Sequence, residues 1–384
     1  MLDFEQEYDV AIIGGGLAGL AAAILLNRSG HSVIILEKEK YPFHKVCGEY
    51  VSLESQDFLG KLGIPIHQMD LPRIDRFLLT APDGRSFTMK LPLGGFGISR
   101  YKLDHMLAET AQRNGVFILE ETKAEEIAFK NSFQISFNSR ITDKKLVRAK
   151  ICCAAYGKRS NIDIKWKRTF LDQNNRRLDN FVGIKYHIKT DWNKNVIGLH
   201  NFENGYCGIS GIEDNKYCLC YMTRAEALKK NNNNILQFQE NVLFQNPHLK
   251  KIFSTSEVLK NFPITISQIN FNKKTAIENN IIMLGDAAGM IAPLCGNGMS
   301  IALHTAKIAA ALIDQYLHRQ ISRDQLETTY KQQWHTNFSR RLRTGRALQP
   351  FFGNKRLSNL FVGTMKTFPF LAPPLVKMTH GKPF

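Results

Sequence analysis

Residues 8–37 read YDVAIIGGGLAGLAAAILLNRSGHSVIILE. Tyr8–Ile13 is a short, mostly apolar run that suits a buried strand, and Gly14–Gly16 follows it as a turn. Leu17–Arg28 is an Ala/Leu-rich helix with a C-cap at Ser29-Gly30, and Ser32–Leu36 is a second apolar strand ending in Glu37. Strand, glycine turn, helix and strand in that order begin a βαβ unit. In Gly14-x-Gly16-x-x-Gly19, the first glycine permits the tight turn and the second lets the backbone approach a pyrophosphate. The third allows close helix–strand packing. The pyrophosphate then meets the positive end of the helix. Glu37 can accept hydrogen bonds from both ribose hydroxyls, which favours a cofactor without a 2′-phosphate. A glycine-rich turn arising by chance does not account for the full spacing through Ala23, Gly30 and Glu37. The segment is read as a dinucleotide site.

A second element lies 250 residues further on, in Met283-Leu284-Gly285-Asp286-Ala287-Ala288-Gly289 and Pro293-Leu294-Cys295-Gly296-Asn297-Gly298-Met299. A carboxylate after a short strand can bind a ribityl hydroxyl, which is the reading of Asp286. The Gly296-Asn297-Gly298 turn offers free N–H groups at a helix start, where the dipole favours negative charge. A flavin needs that at its pyrimidine edge, because the reduced ring is anionic. Asp286 as an ordinary N-cap and Gly296/Gly298 as a plain turn are the simpler readings. Beside the N-terminal fingerprint, the flavin explains more.

The remaining chain organises around these two elements. Its 384 residues suit two domains, and 43% hydrophobic with 22% charged residues is an ordinary globular composition. Ile74–Thr80 and Ser86–Leu91 flank Pro82-Asp83-Gly84 as a hairpin, Lys102–Gly115 reads as a helix, and Asn180–Thr223 reads as repeated short antiparallel strands. Gly298–Leu317 and Ser322–Leu348 read as long helices. The expected fold is α/β: a Rossmann-like domain from residues 1–70, 96–175 and 270–320, interleaved with a mainly antiparallel sheet domain from 71–95 and 176–269. A basic helical segment, 321–384, completes it.

No run of about 18 apolar residues predicts a spanning helix, and MLDFEQEYDV carries acids where a signal peptide is basic. The expected location is cytoplasmic, with peripheral contact at the inner membrane surface left open. Seven cysteines with no CxxC pair support neither a metal site nor a disulfide framework. Most of them, Cys295 included, read as structural.

Formal charge is +17, and its distribution is uneven. Residues 328–384 hold ten Lys/Arg and no Asp or Glu, against 41 basic and 34 acidic residues before them. The basic residues, among them Arg340, Arg341, Arg343 and Arg346, alternate with Phe and Leu. Three readings stand: contact with an anionic membrane, a helical cap packed on the substrate domain, or docking of an acidic carrier or electron-donor protein. Nucleic-acid binding is set aside, since no recognition motif accompanies the charge.

Taken together, the fingerprint with Glu37, Pro42-x-x-Lys45-x-Cys47-Gly48-Glu49, Arg100-x-x-Leu103-Asp104-x-x-Leu107, Ala155-x-Gly157-x-x-Ser160 and Gly285-Asp286 resemble the geranylgeranyl reductase family of FAD-dependent oxidoreductases. That family lies within the p-hydroxybenzoate hydroxylase-like flavoprotein superfamily, and the resemblance covers about residues 8–320. It implies that Gly14, Gly16, Gly19 and Glu37 hold the ADP half of FAD. Arg100 and Asp286 would contact the ribityl-pyrophosphate region, and Gly296, Gly298 and Met299 the pyrimidine edge. Lys45, Cys47 and Gly48 would run beside the flavin.

Two positions depart from the family pattern: Phe43 stands where an arginine is usual, and Tyr156 precedes Gly157 where an aspartate is usual. In the hydroxylases that aspartate serves FAD and pyridine-nucleotide handling, so the electron donor here is read as NAD(P)H or another carrier. Cys47 has two readings, a catalytic thiol with thiolate character raised by Lys45, or a small side chain that fits the turn before Gly48. His44, Glu49 and Tyr206 are candidate proton donors. The expected reaction is reduction of a C=C bond in a lipophilic, isoprenoid or polyketide-like substrate. The alternative is monooxygenation of an aromatic or polyketide substrate, with a non-catalytic flavin-binding partner further behind. The Trp-x-Trp-x-Ile-Pro signature of tryptophan-halogenase-like enzymes is absent.

Overall fold

A computed structural model describes residues 7–143, 145–171, 180–292 and 296–384. Glu7–Ile13, Val33–Leu36, Phe117–Leu119, Leu146–Ala154 and Ile281–Met283 pair in parallel. Their strand order is 281–283, 146–154, 7–13, 33–36, 117–119. These strands are apolar on both faces because helices cover both, and VIIL of Val33–Leu36 is buried throughout. An antiparallel hairpin, Thr122–Phe129 and Phe133–Ser139, attaches beside Leu146–Ala154. Leu17–Arg28, Arg100–Arg113 and Gly298–Leu317 are the helices of this layer.

The second sheet runs 257–258, 181–189, 217–224, 205–211, 196–202, 73–80, 86–97, 50–52, with Ile264–Ile269 also on Phe181–Lys189. All its pairs are antiparallel except Val196–Phe202 with Arg73–Thr80. Tyr50–Ser52 joins this sheet beside Gly95–Gly97, although the flanking chain belongs to the first layer. Alternation sorts its two faces. Ile184, Tyr186, Ile188, Leu219 and Tyr221 pack on the helical segment 225–255, through Phe238, Leu243, Leu249 and Ile252. Lys185, His187, Cys218, Cys220 and Ser210 occupy the opposite face, toward residues 43–49.

The chain closes with helices Arg323–Leu348, Lys355–Thr367 and Ala372–Thr379. Ser322 and Gln325 form a capping box that starts the first of these. Leu326, Tyr330, Trp334, Phe338 and Leu342, each four residues apart, bury one stripe of it against the parallel-sheet core. The architecture is therefore α/β, a Rossmann-like layer interleaved with a mainly antiparallel sheet and finished by C-terminal helices. Among the described residues, no helix is long and apolar enough to cross a membrane.

Candidate functional site

At the fingerprint turn the backbone has no room for side chains. Gly14 has φ +103°, and a Cβ there would lie 2.7 Å from the Ala155 carbonyl oxygen. A Cβ on Gly19 would lie 2.1 Å from the Gly14 carbonyl oxygen. Gly16 is the N-cap of Leu17–Arg28, so no side chain caps this end, and no acid sits in the first turn. The opening N–H groups and the dipole are left to an external anion.

Two cations flank that end. A Cβ on Gly16 would lie 3.7 Å from both Arg100 Nη2 and Lys45 Nζ. Asp104 aims them: Arg100 Nε and Nη2 donate at 2.6 and 2.7 Å, and Lys45 Nζ donates at 3.0 Å. Burial alone would raise the Asp104 carboxyl, but Arg100 and Lys45 outweigh it and hold it below its ordinary value. One carboxylate against two cations leaves a net positive charge beside the helix start. Glu37, buried at the end of its strand, accepts the Gly15 N–H at 2.7 Å and the Glu39 N–H at 3.0 Å. Each carboxylate oxygen keeps a lone pair for a ribose hydroxyl.

Across the cleft, Asp286 opens a single 3₁₀ turn after Ile281–Met283. Lys274 Nζ donates to the Asp286 and Lys158 carbonyls at 2.8 Å each. Burial pushes the Lys274 ammonium down to about 8. Burial also lowers Lys158, an effect that Asp286, Cys47 and Cys220 partly offset from across the same cleft. Tyr156, at the position where an aspartate was expected, hydrogen-bonds Asp163. Arg168 pairs with Asp163 at 3.0 Å and donates to the Ala287 carbonyl at 3.1 Å, tying the Ala155–Ser160 segment to the Asp286 turn.

Gly296 has φ +64° and lies against Tyr50. The Asn297 side chain does not cap Gly298–Leu317: its Nδ2 donates to the Thr379 carbonyl at 2.8 Å, and its buried Oδ1 accepts no hydrogen bond among the described residues. This second helix start is thus also open to a negative charge. The Met299 side chain is buried in the parallel-sheet core, so only its backbone can face the cleft. Cys295 lies outside the described residues.

The 45–49 segment spans the two sheets. Glu49, fully buried with φ 57°, accepts from Lys185 Nζ, from His187 Nε2 at 2.6 Å and from the Arg100 N–H at 2.7 Å. Burial raises its carboxyl, but Lys185 and His187 reverse the balance and keep it ionised. A carboxylate held this way is a clamp, which ends its candidacy as a proton donor. His44 stacks on Tyr101 with ring centroids 4.6 Å apart. Burial, then Lys185 and His187, lower it to about 4, so it is a neutral imidazole at pH 7. Cys47 is half-buried, and its carbonyl accepts the Cys218 thiol at 3.2 Å. Gly48, whose carbonyl accepts from Ser210 Oγ, has nothing within 4 Å of a would-be Cβ and faces open space.

The structure therefore brings Gly14, Gly16, Gly19, Glu37, Lys45 and Arg100 together at one helix start. Lys185, His187, Lys158 and Lys274, which the structure also brings to this cleft, were not read from sequence. Lys185 and His187 had a signal: two ionisable residues at i and i+2 in a strand whose alternate positions are apolar.

An open, uncapped helix start with two aimed cations, a ribose-side carboxylate and a second open helix start fit a flavin dinucleotide. The chain belongs to the FAD binding domain family, which matches residues 7–341. It is an FAD-dependent oxidoreductase by family. It is similar to the digeranylgeranylglycerophospholipid reductase of Methanococcus vannielii, at 24% identity over 353 residues that cover 87% of this chain and 84% of that protein. The Conditioned medium factor receptor 1 of Dictyostelium discoideum is 26% identical over 361 residues, covering 88% and 69%. Among solved structures, a triple mutant of the flavin-dependent brominase Bmp2 superposes with a TM-score of 0.79 at 17% identity, covering 98% and 96%. A flavoprotein/dehydrogenase from Cytophaga hutchinsonii gives 0.71 at 16% identity, covering 93% and 88%. At these identities the solved structures bear on fold alone.

Proposed function

We propose that this flavoprotein reduces a carbon–carbon double bond in a lipophilic substrate of the isoprenoid or polyketide-like class. The observation that carries the reading is an apolar pocket between the second sheet and the C-terminal helices. Phe77, Leu79, Phe87 and Met89 form its floor, and Phe361 and Met365 its roof. Its almost wholly apolar lining selects a substrate without charge. It reaches Tyr50 and Gly296, which places one end beside the proposed pyrimidine-edge turn. The name of the Methanococcus vannielii relative, digeranylgeranylglycerophospholipid reductase, points the same way.

FAD held in the cleft would, when reduced, be the source of the hydride for one alkene carbon, with a proton from water or a protein acid added at the other. The chain's own part is to hold the cofactor with Arg100, Lys45 and Glu37, and to keep the alkene in an apolar enclosure. Either a nicotinamide or another electron carrier restores the two electrons.

The test is anaerobic. Photoreduced protein mixed with geranylgeraniol should recover its oxidised flavin absorbance, and the product should gain two hydrogens. Reoxidation that needs air and gives a product with one added oxygen would replace this reading with the monooxygenase one.

A further inference from the structure

The C-terminal helices that roof the cavity have a second face. Lys355–Thr367 and Ala372–Thr379 are joined by the turn Pro369–Leu371. Phe361, Met365, Leu375 and Val376 point into the cavity. On the outside, Leu360 is 65% exposed, Phe370 68% and Phe368 49%, and Leu357, Leu371 and Met378 are also exposed. Six of the thirteen exposed large hydrophobic residues among those described therefore fall within 22 residues of chain. A scatter of single exposed apolar side chains needs no explanation, but a concentration within one short stretch of chain, three of them at one turn, does.

Cations surround this turn. Lys355, Arg356, Lys366, Lys377 and Lys382 are exposed, and none of them forms an ion pair among the described residues. The nearby acids are already engaged. Glu203 accepts the Lys355 backbone N–H, and Asp83 pairs with Arg85, which lies against Gly363. Arg341 does not belong to this surface, because it is buried against Glu54. The four-arginine cluster read from sequence is therefore divided between core and surface.

From this arrangement we infer that residues 355–382 dock on an anionic lipid bilayer, with the Phe368–Leu371 turn inserted and Lys366 and Lys377 at the headgroups. The apolar turn suits the acyl boundary, and unpaired ammonium groups on both sides of it suit anionic headgroups. The same helices form the cavity roof, and Asn297 of the proposed flavin turn bonds Thr379 in the last of them. A lipophilic substrate would thus pass from the bilayer into the cavity between elements that touch the bilayer. This purpose rests on the lipophilic-substrate reading, but the docking does not.

The experiment is co-sedimentation of the FAD-loaded protein with vesicles of phosphatidylglycerol and phosphatidylcholine, against phosphatidylcholine alone. Binding is expected to the anionic vesicles and to fall with added salt. Phe368→Ser with Phe370→Ser should weaken it at least about tenfold, as should Lys366→Gln with Lys377→Gln. Leu236→Ser, equally exposed at 68% but remote in sequence and on another helix, should change nothing. Unchanged flavin content and thermal midpoint in each variant would show that folding is not the cause. Equal binding to both vesicle types, or to neither, would overturn the proposal. Binding to polyglutamate in place of vesicles would also overturn it, in favour of an acidic protein. Geranylgeraniol reduction in detergent by the Phe368/Phe370 variant separates the two ideas: activity retained while vesicle binding is lost supports docking as distinct from chemistry.

Discussion

At the end of the parallel sheet, one added methyl on Gly19 would sit 2.1 Å from the Gly14 carbonyl oxygen; the antiparallel sheet instead lines an apolar pocket beneath the C-terminal helices. The first region grips its ligand by backbone geometry and aimed charge, as at Asp104, Arg100 and Lys45. The second, on the proposed reading, would receive its ligand against side chains that make almost no polar demand. A cofactor is the same molecule in every turnover, so rigid contacts suit it. A flexible apolar substrate is selected mainly by volume and by the exclusion of charge.

The largest effect should come from breaking the tight region. Gly19→Ala places its methyl against a backbone oxygen that cannot move without the turn. The purified variant should carry little or no flavin, read as absorbance near 450 nm. Gly60→Ala, where a Cβ meets nothing within 4 Å, should purify fully yellow. Equal flavin content in the two would remove the steric account of the fingerprint.

Asp104→Asn comes next. It leaves two cations facing each other in a largely buried site, and losing one partner of a buried pair costs about 3–5 kcal/mol. That loss should appear in urea unfolding of the apoprotein and shrink when FAD is bound, since the pyrophosphate then neutralises Arg100 and Lys45. The same loss in both forms would place the phosphates elsewhere. Glu37→Ala should leave the fold intact but weaken FAD binding by about 1.5–3 kcal/mol, the usual value of charge-assisted hydrogen bonds. That is roughly a 10- to 100-fold rise in Kd by flavin titration.

The same contrast explains what could be read from sequence. Gly14, Gly16 and Gly19 act within six residues, through backbone, so their spacing carries the chemistry. Strand Glu7–Ile13 and helix Leu17–Arg28 follow from local pattern for the same reason. The Glu49 clamp joins residues more than 130 positions apart, and only the alternation around Lys185 and His187 hints at it. The cavity pools side chains from residues 77–91, 197–199 and 348–380, none of which is unusual alone. The C-terminal apolar residues were evident, yet Phe361 and Phe368 differ in role only because the helix lies on the sheet. Charge was the least legible, since Arg341 and Arg343 read alike until Glu54 is placed beside one of them.

Buried neutral histidines and the Asp104 ion pairs should respond differently to acid. His200, in strand Val196–Phe202, is fully buried, with the Trp192 ring edge-on at 5.6 Å and His248 stacked at 5.9 Å. Thr80 Oγ1 accepts from Asn246 at 2.9 Å, which leaves its own O–H for His200 Nδ1, also at 2.9 Å. That bond suits a neutral imidazole, and burial, with His248, lowers His200 to about 3. The unfolded chain takes up this proton near the ordinary value of about 6.5, whereas the folded chain resists until about 3. The contribution of His200 is therefore complete above about pH 6.5 and is lost on acidification, at about 1.4 kcal/mol per pH unit through the window. His44 and His304, both lowered to about 4, add to the same slope. Asp104 behaves otherwise: its lowered carboxyl keeps its contribution until the pH falls below the ordinary carboxylate value of about 4. Between pH 6 and 5, His200→Gln should flatten the dependence of urea stability on pH by about one proton. Asp104→Asn should lower stability across that range without changing the slope. If the two variants changed the slope alike, the assignment of the acid slope to the buried neutral histidines, and not to the Asp104 ion pairs, would fail.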